Sequence, residues 1–202
     1  MNAARDAVLA AVRAATAGGA PPEPTVRAYR RIGTRSASDC VELFDDRLAD
    51  YRATVRRVPI RDVGSAIAEA ASGRLVVPPG LEPAWRPPGA VEDHGLTPQE
   101  LDALDGVVTG CTLAIAETGT IVLAAGPNEG RRALTLVPDL HICVVRSSQV
   151  VETVPEAFAA LAALELRPLT FVSGPSATSD IELKRVEGVH GPRQLVVVIA
   201  DE

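Results

Sequence analysis

Cysteine is scarce. The 202 residues hold three, Cys40, Cys111 and Cys143, widely spaced and without a C-x-x-C pair. That excludes an even disulfide framework, and three thiolates cannot by themselves complete the ligand set of a cubane iron–sulfur cluster. They read as buried thiols of a reducing compartment. Histidine is equally rare, and His94, His141 and His190 fall at spacings that fit no zinc site, so no metal ligands are assigned. An excess of positive charge is also missing. The formal net charge of -6 argues against a nucleic-acid partner, whose phosphates need a basic face. No long apolar run goes unbroken: Val107 to Ala125 is interrupted by Glu117-Thr118-Gly119-Thr120, and the alanine-rich start carries Arg5, Asp6 and Arg13. Neither a membrane span nor a secretory core fits, so a cytoplasmic chain without membrane insertion is expected. No G-x-G-x-x-G follows a strand and no flavin motif is visible, so no cofactor is expected.

What is present is an α/β pattern. With 47% hydrophobic and 23% charged residues the chain fits one globular domain, placed at 38–202, behind an N-terminal helix and Pro/Arg-rich linker at 1–37. Ala4, Val8, Ala11, Val12 and Ala15 recur at helical spacing, a docking arm that ends at Gly18-Gly19. The basic cluster Arg27, Arg30, Arg31 and Arg35 is either a solvated connection, or an anion clamp or patch for an acidic partner. Ser38 or Asp39 is the expected cap of a helix that turns Val41, Phe44, Leu48 and Tyr51 to the core, with Glu42 closing a capping box. Strands are expected at Thr54–Val58, Leu75–Val77, Gly106–Thr109 and His141–Val145, with a helix over Asp62–Ala71. Thr97-Pro98-Gln99-Glu100 is a second helix start. Leu113–Ala116 and Ile121–Ala124 form a hairpin or a bent strand, and Thr135–Val137 is expected to be extended. Thr153 caps a helix whose Phe158, Leu161 and Leu164 should point inward. The alternation predicts a central, mostly parallel sheet flanked by helices, with an N-terminal helical extension.

Three segments can carry chemistry. Glu117 is a carboxylate in an apolar stretch, beside Thr118, Gly119 and Thr120. It is either a base, nucleophile or ligand anchor, or the exposed tip of a hairpin. Ser173-Gly174-Pro175-Ser176 with Thr178, Asp180 and Glu182 leaves an apolar strand, where backbone N–H groups and hydroxyls can cradle an anion. Asp180 can equally be a plain helix cap. His190, between Gly188-Val189 and Gly191-Pro192, suits proton transfer or anion contact, or a structural role.

In order and spacing these segments, with Leu140-His141-Ile142, resemble the LUD domain of the LutC/YkgG lactate-utilisation proteins over roughly residues 40–200. The most specific part is Ser173-Gly174-Pro175-Ser176 joined to Asp180-Ile181-Glu182 and then His190-Gly191-Pro192. The resemblance implies a scaffold similar to that of ribose-phosphate isomerases, glucosamine-phosphate deaminases and CoA transferases. It also implies a non-redox role in a three-protein system that oxidises L-lactate to pyruvate, with the iron–sulfur centres in partner subunits and a small anion as a possible ligand. By analogy with the CoA transferases, Glu117-Thr118-Gly119 is the position to compare with their acyl-accepting glutamate. The alternative is an enzyme acting alone on a phosphorylated or CoA-linked anion, with Glu117 as nucleophile or base and His190 as acid. The chain departs from the family at Ala177, where an Arg is usual; either the contact that Arg makes is absent here, or a nearby basic residue such as Arg185 or Arg193 replaces it.

Overall fold

The computed structural model describes residues 2–18, 26, 28–164, 167–174 and 191–202. Six strands form a parallel sheet in the order β1 (Thr54–Pro59), β10 (Gln194–Asp201), β7 (Leu140–Arg146), β4 (Gly106–Thr109), β2 (Leu75–Val77) and β3 (Val91–Glu92). A parallel sheet is stable only with both faces covered, and its inner strands β10, β7, β4 and β2 are accordingly buried along nearly their whole length. On β7, Leu140, Ile142 and Val144 face one side while Cys143 and Val145 face the other, and every one of them is buried. The first side packs on α3 (Val63–Ala70) through Val63, Ala66 and Ile67.

The other side meets α2 (Ala37–Asp50) and a second, four-stranded sheet. That sheet runs β8 (Val150–Val151), β5 (Leu113–Ile115), β6 (Thr120–Leu123) and β9 (Thr170–Val172). The segment 113–123 is thus an antiparallel hairpin, Ala114 opposite Ile121. β9 adds to its far edge, Val122 opposite Phe171. The outer face of this sheet is closed by α5 (Val154–Leu161) through Ala157 and Leu161. α4 (Pro98–Asp102) begins with the expected capping box of Thr97 and Glu100, and α5 with that of Thr153 and Glu156.

Some local expectations fail. α2 is capped by Ser36, whose hydroxyl accepts from the Asp39 N–H at 3.1 Å, not by Ser38 or Asp39. The acceptor has to precede the first helical residue, and the helix already begins at Ala37. Val41, Phe44 and Leu48 are buried as predicted, but Tyr51 is the half-buried C-cap. Residues 132–135 form a 3-10 turn where extended chain was expected at 135–137. Phe158 and Leu164 are exposed; α5 is shorter than its apolar pattern, and Phe158 stacks on the equally exposed Phe171 with ring centroids 6.0 Å apart. On the N-terminal helix α1 (Asn2–Thr16), Val8 and Val12 are exposed. Among the described residues no helix is long and apolar enough to cross a membrane.

The end of α2 holds a backbone conflict. Ala53 N–H donates to Leu48 C=O at 3.1 Å and Arg52 N–H to Ala49 C=O at 2.9 Å, a Schellman closure. The residue that must turn left-handed is Arg52, with φ of +62°. A side chain there costs about 1–2 kcal/mol. Arg52→Gly should therefore raise stability by about 0.5–1 kcal/mol after glycine's own entropy is set against the relief. Phe44→Ala should lower it by about 3–5 kcal/mol. Urea unfolding reads both as opposite shifts of the midpoint at unchanged slope.

Candidate functional site

The hairpin tip brings together what the sequence kept more than fifty residues apart, across the 53-residue separation of Thr120 and Ser173. The Thr118 and Thr120 hydroxyls lie 2.8 Å apart, and Thr120 is 2.7 Å from Ser173 Oγ. The pairing of β6 with β9 places them there, since Ile121 faces Val172 and the next residue on each strand continues the ladder to Thr120 and Ser173. Two glycines let this tip sit close against α2. Gly119 has φ of +58°, and a Cβ on it would stand 2.8 Å from Arg47 Cβ; Gly174 has φ of +79°, and its Cβ would stand 2.6 Å from Tyr51 Cβ. The row of three hydroxyls is a neutral, adaptable set of donors and acceptors of the kind that binds an anion or a partner's backbone.

Glu117 stands at this tip, partly exposed, so the hairpin-tip alternative describes its position. It is not unpaired: Arg30 forms an ion pair with it. Glu117 N–H also donates to Glu152 C=O at 3.1 Å, which joins the tip to the β8–α5 corner. There the buried Glu152 carboxylate accepts from Arg35 N–H at 2.6 Å and from the Arg35 guanidinium at 2.9 Å. Gly33 N–H donates to Glu156 Oε1 at 3.0 Å. The basic segment is thus neither a free connection nor a clamp for a foreign anion at Arg30 and Arg35. It clamps the protein's own carboxylates. The backbone N–H of Arg35 first, then that of Thr34 and the Arg35 guanidinium, hold the Glu152 carboxyl below its ordinary range against the effect of burial. The Gly33 N–H does the same for Glu156.

Other predicted residues go elsewhere. Gly191 lies beside the 132–135 turn, where a Cβ would stand 3.8 Å from the Thr135 carbonyl oxygen. Pro175, Ser176, Thr178, Asp180, Glu182 and His190 lie outside the described residues, as do Ala177 and Arg185. Arg193 pairs with Asp139 at 2.5 Å. His141 is buried with Nε2 2.7 Å from the Thr109 hydroxyl, and all three cysteines are buried. A hydrogen bond with Cys143, and burial, push the Cys111 thiol up, so it stays neutral. Among the described residues no group of His, Cys, Asp and Glu could hold a metal ion.

Two concave places escaped the reading of the sequence. One, of about 310 Å³, is lined by Gly80, Glu82, Trp85, Pro127, Asn128 and Arg146, at the carboxyl ends of β2 and β7. Arg146 lies over the Trp85 ring, 5.0 Å from its centroid, and is paired with Glu82 at 2.6 Å and Glu202 at 3.2 Å. The other is a smaller cavity beside the 125–132 loop, at the end of the β6–β9 pair where Leu123 faces Thr170. The signal for both was the run Gly126-Pro127-Asn128-Glu129-Gly130-Arg131-Arg132, a carboxylate between two glycines followed by two arginines.

The profile of the LUD domain family matches residues 65–200. A Lactate utilization protein C of Deinococcus radiodurans is 48% identical over 171 residues, 81% of each chain. A protein of the same name from an Exiguobacterium strain is 28% identical over 197 residues, covering 91% of this chain and 81% of that one. The crystal structure of a DUF162 family protein from Deinococcus radiodurans superposes with a TM-score of 0.73 at 41% identity, over 83% of this chain and 99% of the other.

Two outcomes follow from the tip and its clamp. Gly119→Ala should destabilise by about 1–3 kcal/mol, because both the left-handed backbone and the contact with Arg47 resist a methyl group. For Glu152 the native value is depressed, so its contribution is fully present above the ordinary glutamate value of about 4.3 and is lost as the pH falls through the lower native one. Acid titration of unfolding stability should therefore show a shallower acid limb in Glu152→Gln than in the wild type.

Proposed function

The chain belongs to the LUD domain family, and from that membership we propose that it serves lactate utilisation as a cytoplasmic subunit without redox chemistry of its own, in a system that oxidises L-lactate to pyruvate. The names of its full-length relatives support the lactate role. The observation that carries the subunit reading is the hairpin tip, where Thr118, Thr120 and Ser173 form a continuous row of hydroxyls beside the Glu117–Arg30 pair. Such a row suits recognition of a small anion or of a partner's backbone. It supplies no hydride acceptor, and the three buried thiols are too few and too enclosed to hold a cluster. Electron transfer is assigned to iron–sulfur partner subunits.

In this reading Thr118, Gly119, Thr120, Ser173 and Gly174 form the recognition surface, which the Pro175–Glu182 segment and His190 would extend. Glu117 anchors Arg30 and so orders the basic segment next to that surface. A carboxylate whose lone pairs are engaged by a guanidinium is a weaker nucleophile than a free one, which favours this role over the acyl-acceptor chemistry of an enzyme acting alone.

The test is lactate-dependent reduction of a dye, first by the chain alone and then with candidate iron–sulfur partners. Activity is expected only in the mixture, and Thr120→Val should lower it about tenfold, the loss of one to two hydrogen bonds to a bound group. Reduction by the chain alone would overturn the non-redox assignment. A mixture shown to be assembled with intact clusters, yet inactive, would overturn the lactate reading.

A further inference from the structure

We propose that the cavity at the root of the β6–β9 ribbon binds a small monocarboxylate through Arg132. The cavity measures about 150 Å³ and lies among Leu123, Ala125, Arg132, Thr135, Pro168 and Thr170. A space of that size holds about six heavy atoms. It lies three residues along β6 from Thr120, a separation of about 10 Å, so it is distinct from the hydroxyl row at the tip.

Charge is the first argument. The other arginines at the two cavities are neutralised: Arg131 by Asp93 at 2.7 Å, and Arg146 by Glu82 at 2.6 Å and Glu202 at 3.2 Å. Arg132 is different. Its guanidinium donates to the carbonyl and hydroxyl oxygens of Thr135, each at 3.2 Å, and has no carboxylate partner among the described residues. The carboxylate in the cavity wall, Glu129, is already committed to its own loop. It accepts from Ala124 N–H at 2.7 Å, Gly126 N–H at 2.8 Å and the Thr112 hydroxyl at 2.5 Å. The wall therefore presents a cation with donors to spare, beside a carboxylate that keeps its charge while both its oxygens are held by its own loop and by Thr112.

Shape is the second. Glu129 holds the loop closed, Gly80 N–H donates to Pro127 C=O at 3.0 Å, and Gly110 N–H to Asn128 C=O at 2.9 Å. Ala125 is held at φ of +50°, a strained position for a side chain that persists only where the surroundings enforce it. The cavity is thus built into the fold. A planar guanidinium matches the two oxygens of a carboxylate, while the Thr170 hydroxyl can meet a neighbouring hydroxyl or carbonyl oxygen; the Thr135 hydroxyl is engaged with Arg132, donating to its carbonyl oxygen at 3.3 Å. Leu123, Ala125 and Pro168 supply the apolar remainder, which fits a short carbon chain and leaves no room for a sugar phosphate or a CoA ester. The ligand class is a 2-hydroxy or 2-oxo monocarboxylate. The choice of that class over other short acids rests on the lactate reading; the carboxylate site itself does not.

The full chain would be titrated with L-lactate, pyruvate, propionate, lactamide and inorganic phosphate, followed by ligand-observed NMR and thermal unfolding. Lactate or pyruvate should raise Tm by about 3 °C at roughly ten times Kd. Uncharged lactamide should not. Arg132→Gln should weaken binding at least tenfold, Thr170→Val about threefold, and the surface variant Arg56→Gln should bind as the wild type does. If Arg132→Gln fails to fold, judged by its circular dichroism, Thr170→Val carries the test. Absence of saturable binding to the wild type, unchanged affinity in Arg132→Gln and Thr170→Val, or tighter binding of phosphate than of every carboxylate would overturn the proposal. Binding of propionate as tight as that of lactate, lost in Arg132→Gln, would uphold the carboxylate site while removing its link to lactate.

Discussion

The parallel sheet has to be kept dry on both faces, and most of the architecture follows from that constraint. β10 shows it most clearly. It pairs in parallel with β1 on one side and β7 on the other, and Leu195 to Ala200 are all buried. One face is covered by α3. The other takes α2 together with a whole second sheet, so Phe44 and Leu48 of the helix share a core with Ile121 and Leu123 of the hairpin. The second sheet in turn exposes an apolar outer face that α5 closes. Each layer exists because the previous one left hydrophobic surface to cover.

This stacking also sets where chemistry can occur. The hairpin is packed on both faces, so its polar residues are confined to the tip and the root of the β6–β9 ribbon. The tip gathers Glu117, Thr118, Thr120 and Ser173 against the side of α2. The root leaves the cavity beside Arg132. Between them the ribbon is apolar, with Ile121 and Val122 fully buried. The clamp of Glu152 and Glu156 on the 33–35 backbone then fixes the chain leading into α2. A buried carboxylate is tolerable there because backbone N–H groups replace the water it loses.

Much of this was legible in the sequence. β-Branched runs marked β2, β4 and β7, the spacing of Val41, Phe44 and Leu48 marked the buried face of α2, and the capping residues of α4 and α5 were read correctly. Glu117-Thr118-Gly119-Thr120 was singled out as a turn with polar residues, and Ser173 as part of a separate anion-cradling loop. What escaped was non-local. Phe158 reads as a core residue by period alone, yet it is exposed because α5 stops at Leu161 and covers only Leu113, Ile115 and Val122. Gly191 was read beside His190 as a candidate ligand contact, and β10, which begins at the sheet and not on the ribbon, carries it to Thr135.

The sequence by itself determined the element types, the family and the residues with chemical character, because period, capping and turn chemistry are local. Only the tertiary structure decided which of those residues meet. The union of Thr120 with Ser173, the pairing of Glu117 with Arg30, and the isolation of Arg132 from any carboxylate in the described chain all depend on strand order and register. Those follow from how whole faces bury against one another, a balance of area and packing that no short stretch of sequence encodes.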